Sequence, residues 1–302
     1  MEMAENPLLP LDLPPLPVPP PAPPDPSTRF PLRMLLLWLP ATALLCFPAL
    51  GLTLGWHVFR VQEHGLALFS LWFYLTILAW MFVSARRAGL SLRELLGPLP
   101  HVDQWLDVGV APALHLAFSG TLMLAAFSLL AQFAPHWLDK LLGNNKAFDL
   151  GGTPVLAQWL LIAVLAPIVE EFFFRGILLH RAIRRWGATR GLLATSLLFG
   201  ALHMNPVGIF AFGLLLGVLY LRTRSLWVTT FAHLLNNTLP LLAMAAPHEP
   251  RSGVEPFPTA LFARMLPMTA LLALAMAVAI AGMLRSRWPH ADVSLPWAPP
   301  AA

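Results

Sequence analysis

The stretch TPVLAQWLLIAVLAPIVEEFFFRGILLHRAIR, residues 153–184, decides how the chain is read. It contains an apolar run long enough to cross a bilayer, which takes about 20 residues. Glu170, Glu171 and Arg175 nevertheless sit inside that run. An ionised side chain in hydrocarbon costs at least ~2.5–3.5 kcal/mol, so each of the three needs a partner or a function. Glu171 and Arg175 are four residues apart with the acid first, which lets them pair on one helix face. Glu170 has Phe174 at its own i+4 position and no intrahelical partner. That unpaired carboxylate is the candidate for chemistry.

Working outward, composition supports a membrane setting. Of 302 residues, 57% are hydrophobic and 11% charged, where a soluble domain carries about 25% charged residues. The fold class expected is all-α, a polytopic transmembrane helical bundle. The single cysteine, Cys46, excludes an internal disulfide and a cysteine-based zinc site. The basic residues are almost all arginine, with Lys140 and Lys146 the only lysines, and they cluster at the ends of apolar runs. That is the mark of membrane topology, so no nucleic-acid partner is expected.

About eight spans are predicted, near 32–56, 65–84, 108–134, 154–180, 189–204, 207–221, 226–246 and 260–284. The fifth and sixth are short and parted by Asn205-Pro206, as in a hairpin that stops short of one surface. Residues 88–107 mix leucines and Trp105 with charges and read as interfacial. Residues between the third and fourth spans, including Asp139, Lys140 and Asn144-Asn145, read as a polar loop. The domain plan is a proline-rich tail over 1–31, a transmembrane domain over 32–285 with its motif-bearing core at 153–245, and a short C-terminal tail over 286–302. The tail at 1–31 favours extended polyproline II over any packed core and lacks the basic and apolar regions of a cleavable signal. With the N-terminus cytoplasmic, the inner face holds 13 of the Lys and Arg residues, the outer face 5, and Arg175 lies within the membrane. The positive-inside rule favours that orientation, with both termini cytoplasmic.

Further polar side chains interrupt apolar spans at His203, His233 and Asn237. His233 and Asn237 are four apart and share a helix face. Glu170 is 11 residues from Arg181, His203 is 13 from Arg190, and His233 and Asn237 are 9 and 13 from Arg224. At about 1.5 Å per residue all four lie roughly 14–20 Å deep, near the middle of a ~30 Å core. They are expected to share one pocket. His115 has no matching partner in the sequence and reads as structural, and His180 as interfacial. Asn236 replaces Asn237 at the pocket if the helix rotates slightly.

A carboxylate with histidines suits the activation of water. Histidine N–H and asparagine amide groups suit stabilisation of an oxyanion. The same residues allow a zinc site of Glu170, His203 and His233 with water in the fourth position, although no HExxH signature is present. A transporter with a proton-coupled glutamate is a weaker fit, since only one span carries carboxylates and no inverted repeat is evident.

Three motifs follow in order on successive apolar spans: Glu-Glu-x-x-x-Arg at Glu170, Glu171 and Arg175, Phe-x-x-x-His at Phe199 and His203, and His-x-x-x-Asn at His233 and Asn237. Together they resemble the CPBP family, the CAAX prenyl endopeptidases with their bacterial and bacteriocin-processing relatives, also called the ABI family. The resemblance covers residues 153–245. It implies an intramembrane endopeptidase in which Glu170 and His203 activate the attacking water, His233 and Asn237 form the oxyanion hole, and Glu171 and Arg175 hold the site together. It implies a substrate protein or peptide reaching the site from the lipid bilayer. No cofactor is required on the glutamate mechanism, with zinc as the alternative. Some bacterial members act as scaffolds or immunity proteins, which is the non-catalytic alternative. The alanine-, leucine- and arginine-rich composition points to a GC-rich bacterium, hence to the inner (plasma) membrane and to substrates that are not prenylated.

Overall fold

The computed structural model describes residues 30–54, 62–143, 155–245 and 259–289. Most of the proline-rich tail, the glycine-rich end of the third connection and most of the C-terminal tail lie outside those residues. Among the described residues there are ten helices and no strand. They are α1 (Leu32–Leu54), α2 (Gln62–Arg87), α3 (Leu92–Leu96), α4 (Gln104–Phe133), α5 (Pro135–Gly143), α6 (155–186), α7 (Ala188–Ala201), α8 (Pro206–Thr223), α9 (Leu226–Ala245) and α10 (Thr259–Arg287). The chain is an all-α helical bundle.

Five helices are long and apolar enough to cross a membrane by length and composition: α1, α2, α4, α8 and α10. The other three expected spans fall short of that measure for physical reasons. Helix α6 carries Glu170, Glu171 and Arg175 and is interrupted by wide turns. Helix α7 has 14 residues, about 21 Å against a ~30 Å core, which suits the expected hairpin. Helix α9 carries His233, Asn236 and Asn237. The helices that look least like spans are therefore those that bear the polar motifs.

Helix α8 is the centre of the bundle. It is buried without a break from Phe212 to Leu221, and a helix that is apolar all round belongs in a core. In the other four apolar helices only 12–28% of the most apolar stretch is buried, against 61% in α8. Their outer faces expose Leu44, Leu45 and Leu52 of α1 and Leu271, Leu274 and Val278 of α10, as lipid contact requires. Small residues let α7 approach α8 closely. A Cβ on Gly213 would stand 3.1 Å from Ser196 Cα, and one on Gly200 would stand 2.5 Å from the Pro206 carbonyl oxygen.

Four contacts gather helix ends on one side. Arg181 Nη2 donates to the Phe30 carbonyl, and Arg287 pairs with Asp107. Trp288 Nε1 donates to Thr189 Oγ1 at 3.1 Å, and Ser225 Oγ donates to the Pro98 carbonyl. The starts of α1, α4, α7 and α9 thus meet the ends of α3, α6, α8 and α10. This is the alternation that the arginine positions imply.

Two segments differ from the sequence reading. Residues 135–143, read as polar loop, form α5, which opens on Pro135 as helices favour and buries Leu138 completely. The third span starts at Gln104 rather than 108, because Asp107 in its first turn is held by Arg287. The interfacial segment forms the short α3, closed by a capping box in which Ser91 and Glu94 exchange hydrogen bonds. The Ser91 amide and hydroxyl hold the Glu94 carboxyl below its usual range.

Candidate active site

Helix α6 does not run as a regular α-helix. It has π-helical turns at Trp159–Leu165 and Phe172–Leu179, with Ala166–Glu171 between them in α geometry. Turns of this kind are rare and concentrate at functional sites. Glu170 and Glu171 end the α segment, so both carboxylates stand at the edge of a widened turn.

The two carboxylates face different surroundings. Glu171 is wholly buried, and its Oε1 receives two bonds, from Arg175 Nη1 at 2.7 Å and from His233 Nδ1 at 2.8 Å. Arg175 is completed by the Gly213 carbonyl at 3.3 Å and by the face of Phe199, 4.6 Å from its ring centre. The expected Glu171–Arg175 pair is present, and it has a third member in His233. Glu170 instead points into a cavity, its side chain 20% exposed. Its Oε2 lies 3.8 Å from His203 Nε2 and 3.9 Å from His233 Nε2.

The proton positions on the imidazoles follow from their other partners. His203 Nδ1 lies 2.7 Å from the Phe199 carbonyl, which only accepts, so Nδ1 carries the proton. His233 Nδ1 donates to the Glu171 carboxylate by the same logic. In their neutral forms both rings therefore turn an Nε2 lone pair toward Glu170. The separations exceed a direct hydrogen bond and suit groups that share a water. Glu170, Glu171 and Arg175 together carry one net negative charge when ionised, and a single proton shared with either imidazole balances it.

Phe199 holds this arrangement together. Buried to 1% exposure, it packs against Phe174, His203 and His233 with ring centres 4.9, 4.8 and 5.8 Å away. Truncating a buried phenylalanine costs about 3–5 kcal/mol. Phe199→Ala is expected to lower the thermal midpoint in detergent by several degrees and to reduce activity at temperatures where the variant is still folded. An unchanged midpoint would mean that the ring does not brace the site.

Asn237 is held by its amide against the glutamate helix. Its Nδ2 donates to the Ile162 carbonyl on α6 at 2.9 Å, inside the first π-helical stretch, and its Oδ1 accepts from Asn236 Nδ2 at 3.1 Å. It joins the site through the backbone of the glutamate helix. Trp159 Nε1 adds a second tie from α6 to α9, through Thr238 Oγ1 at 3.0 Å. His115 is corrected: it has a partner, Asn236 Oδ1 at 2.6 Å from its Nδ1. Asn236 is thus part of the same polar network as Asn237, not a substitute for it.

Sequence reasoning missed Tyr74 on α2, whose phenol shares a cavity with the Glu170 carboxylate. Tyr74 and Ile77 of α2, with Leu35 and Leu39 of α1, face Glu170 and His203 across a cavity of about 590 Å³. The signal was available: a phenol inside an apolar span needs a polar partner, and the chain has only two tyrosines.

The candidate zinc donors stand somewhat wider apart than the ligands of a bound ion. Tetrahedral ligands at 2.0–2.1 Å from zinc lie roughly 3.3 Å apart, whereas the nitrogens here are 3.8 and 3.9 Å from Glu170 Oε2. Among the described residues no group of three or more His, Cys, Asp or Glu is arranged to hold a metal ion.

Comparison with known proteins bears on the same segment. Residues 152–239 match the family model described as "Type II CAAX prenyl endopeptidase Rce1-like". An Escherichia coli protein named "Uncharacterized 24.3 kDa protein" is 33% identical over 164 residues, which is 51% of this chain and 72% of that one. A Bacillus subtilis (strain 168) protein named "Putative membrane peptidase YdiL" is 31% identical over 88 residues, 28% of this chain and 36% of that one. No solved structure matches. The matched span contains every motif residue, from Glu170 to Asn237, and the chain belongs to the Rce1-like family of type II CAAX prenyl endopeptidases.

Proposed function

We propose that the chain is an intramembrane endopeptidase that hydrolyses a peptide bond of a membrane-associated protein or peptide with water activated by Glu170 and His203. The observation that carries this reading is the Glu170 carboxylate. It is set among apolar helices, opens on a cavity, and faces two imidazole Nε2 atoms at 3.8 and 3.9 Å.

Glu170 takes a proton from a water that His203 Nε2 helps to orient. The water oxygen bonds to the scissile carbonyl carbon. The oxyanion accepts from the second N–H of Asn237, the first being held by Ile162, and from His233 when its Nε2 is protonated. The C–N bond then breaks, and the proton on Glu170 passes to the leaving nitrogen. Glu171 fixes the ring of His233, and Arg175 holds Glu171 in place. The apolar cavity wall of Leu35, Leu39 and Ile77 suits apolar side chains beside the scissile bond. The arginine-rich end of the bundle is the cytoplasmic one on the positive-inside rule, which supports an orientation with both termini inside, and the arginine-rich composition supports a bacterial inner membrane.

The test is cleavage of membrane-anchored peptides by the purified chain in liposomes, with and without a chelator. Cleavage that survives chelation supports the water-activating glutamate. Cleavage lost on chelation and restored by zinc would overturn it in favour of a metal site. Failure to cleave a broad panel of membrane-anchored peptides would favour a non-catalytic scaffold.

A further inference from the structure

Behind Asn237 runs a line of polar side chains that the three motifs do not include. Ser119 Oγ lies 2.8 Å from His115 Nε2, and His115 Nδ1 lies 2.6 Å from Asn236 Oδ1. Asn236 Nδ2 lies 3.1 Å from Asn237 Oδ1, and Asn237 Nδ2 lies 2.9 Å from the Ile162 carbonyl. His115 is 3% and Asn236 5% exposed. His115 and Ser119 belong to α4, outside the segment that the family model matches.

One fixed end orders the whole line. The Ile162 carbonyl only accepts, so Asn237 turns its NH₂ to it and its oxygen to Asn236. Asn236 must then offer its own NH₂ to Asn237 and its oxygen to His115. His115 must carry its proton on Nδ1 and accept the Ser119 hydroxyl proton at Nε2. Reversing the Asn237 amide would set its oxygen against the Ile162 carbonyl oxygen and its NH₂ against the NH₂ of Asn236. Phe212 holds the plane of His115, stacked with ring centres 4.5 Å apart, and meets His233 edge-on at 5.4 Å.

We infer that His115 and Asn236 are positioning residues for Asn237, holding its amide so that an N–H and not the oxygen is available to the oxyanion. This rests on the protease reading above. An amide free to turn would present its oxygen to developing negative charge for part of the time. Preorganised donors are effective because they need no reorganisation during reaction. The bland reading of the same bonds is adhesion between α4 and α9, as polar groups often supply in membranes. The two readings differ in what they do to turnover.

The experiment uses the full chain in detergent. His115→Ala is expected to lower kcat about 10–100-fold, the scale found for partners that orient a metal ligand, with KM unchanged. Adding His115→Ala to Asn237→Ala should cause no further loss, since residues that act as a unit are not additive. His115→Asn, which keeps an N–H for Asn236, should recover most of the activity. Ser128→Ala, another buried α4 residue, bonded only to the Leu124 carbonyl, should behave as wild type. Wild-type kcat in His115→Ala, a multiplicative double variant, or a loss that follows thermal stability and is not restored by His115→Asn would overturn the inference. A readout free of turnover is ¹⁵N NMR of the histidine-labelled chain: His115 should hold its proton on Nδ1, and a proton on Nε2 would break the line. If Glu170→Gln cleaves as fast as wild type, the protease reading itself fails, and that result is separate from the tautomer of His115.

Discussion

Glu170→Gln is expected to abolish measurable peptide cleavage while leaving the bundle folded. General-base catalysis contributes about 10²–10⁴-fold, and the glutamine amide has no basicity with which to replace it. The substitution is nearly isosteric, and it removes a charge whose nearest imidazoles stand 3.8 and 3.9 Å away without a direct hydrogen bond. No buried pair is broken, because the Arg175 partner is Glu171. Circular dichroism and the thermal midpoint in detergent should match wild type, and turnover should not. Wild-type cleavage rates in this variant would remove Glu170 from the chemistry.

The second large effect concerns the pair behind it. Arg175→Met leaves the Glu171 carboxylate fully buried with His233 as its remaining partner. Removing one member of a buried pair costs about 3–5 kcal/mol, whereas replacing both by apolar groups of similar size is often neutral or stabilising. The double variant Glu171→Leu/Arg175→Met is therefore expected to regain most of the thermal stability that Arg175→Met loses. It should not regain activity, because His233 Nδ1 then has no carboxylate to fix its ring. Thermal unfolding followed beside cleavage kinetics separates the two roles. A double variant as unstable as the single would sink the ion-pair account, and one with full turnover would sink the orienting role of Glu171.

The bundle and the convergence of Glu170, Glu171, Arg175, His203 and His233 were legible because charge in hydrocarbon is costly and leaves a visible trace. Depth counted from the arginines placed His203 and His233 opposite Glu170, and the structure sets both within 4 Å of it. What escaped depends on how each helix is rotated about its axis. His115 and Asn236 meet only because α4 and α9 turn those faces to each other, and depth says nothing of rotation. Tyr74 was overlooked for the same reason, since α2 carries no motif. The helix at Pro135–Gly143 was obscured by its polar residues, although Pro135 marks its start.

The π-helical stretches of α6 have a consequence for comparing related chains. A π turn spends more residues on each revolution than an α turn. A relative that lacks one residue between Trp159 and Glu170 can run wholly α-helical with the two positions in nearly the same angular relation, whereas one that keeps every residue and runs wholly α-helical swings them by about 100°. Trp159 would then lose Thr238, and Asn237 would lose the carbonyl that anchors it. Alignments of this family should therefore admit single-residue gaps inside its most characteristic helix. Such a gap would mark the loss of a π turn with the angular phase of the active site kept.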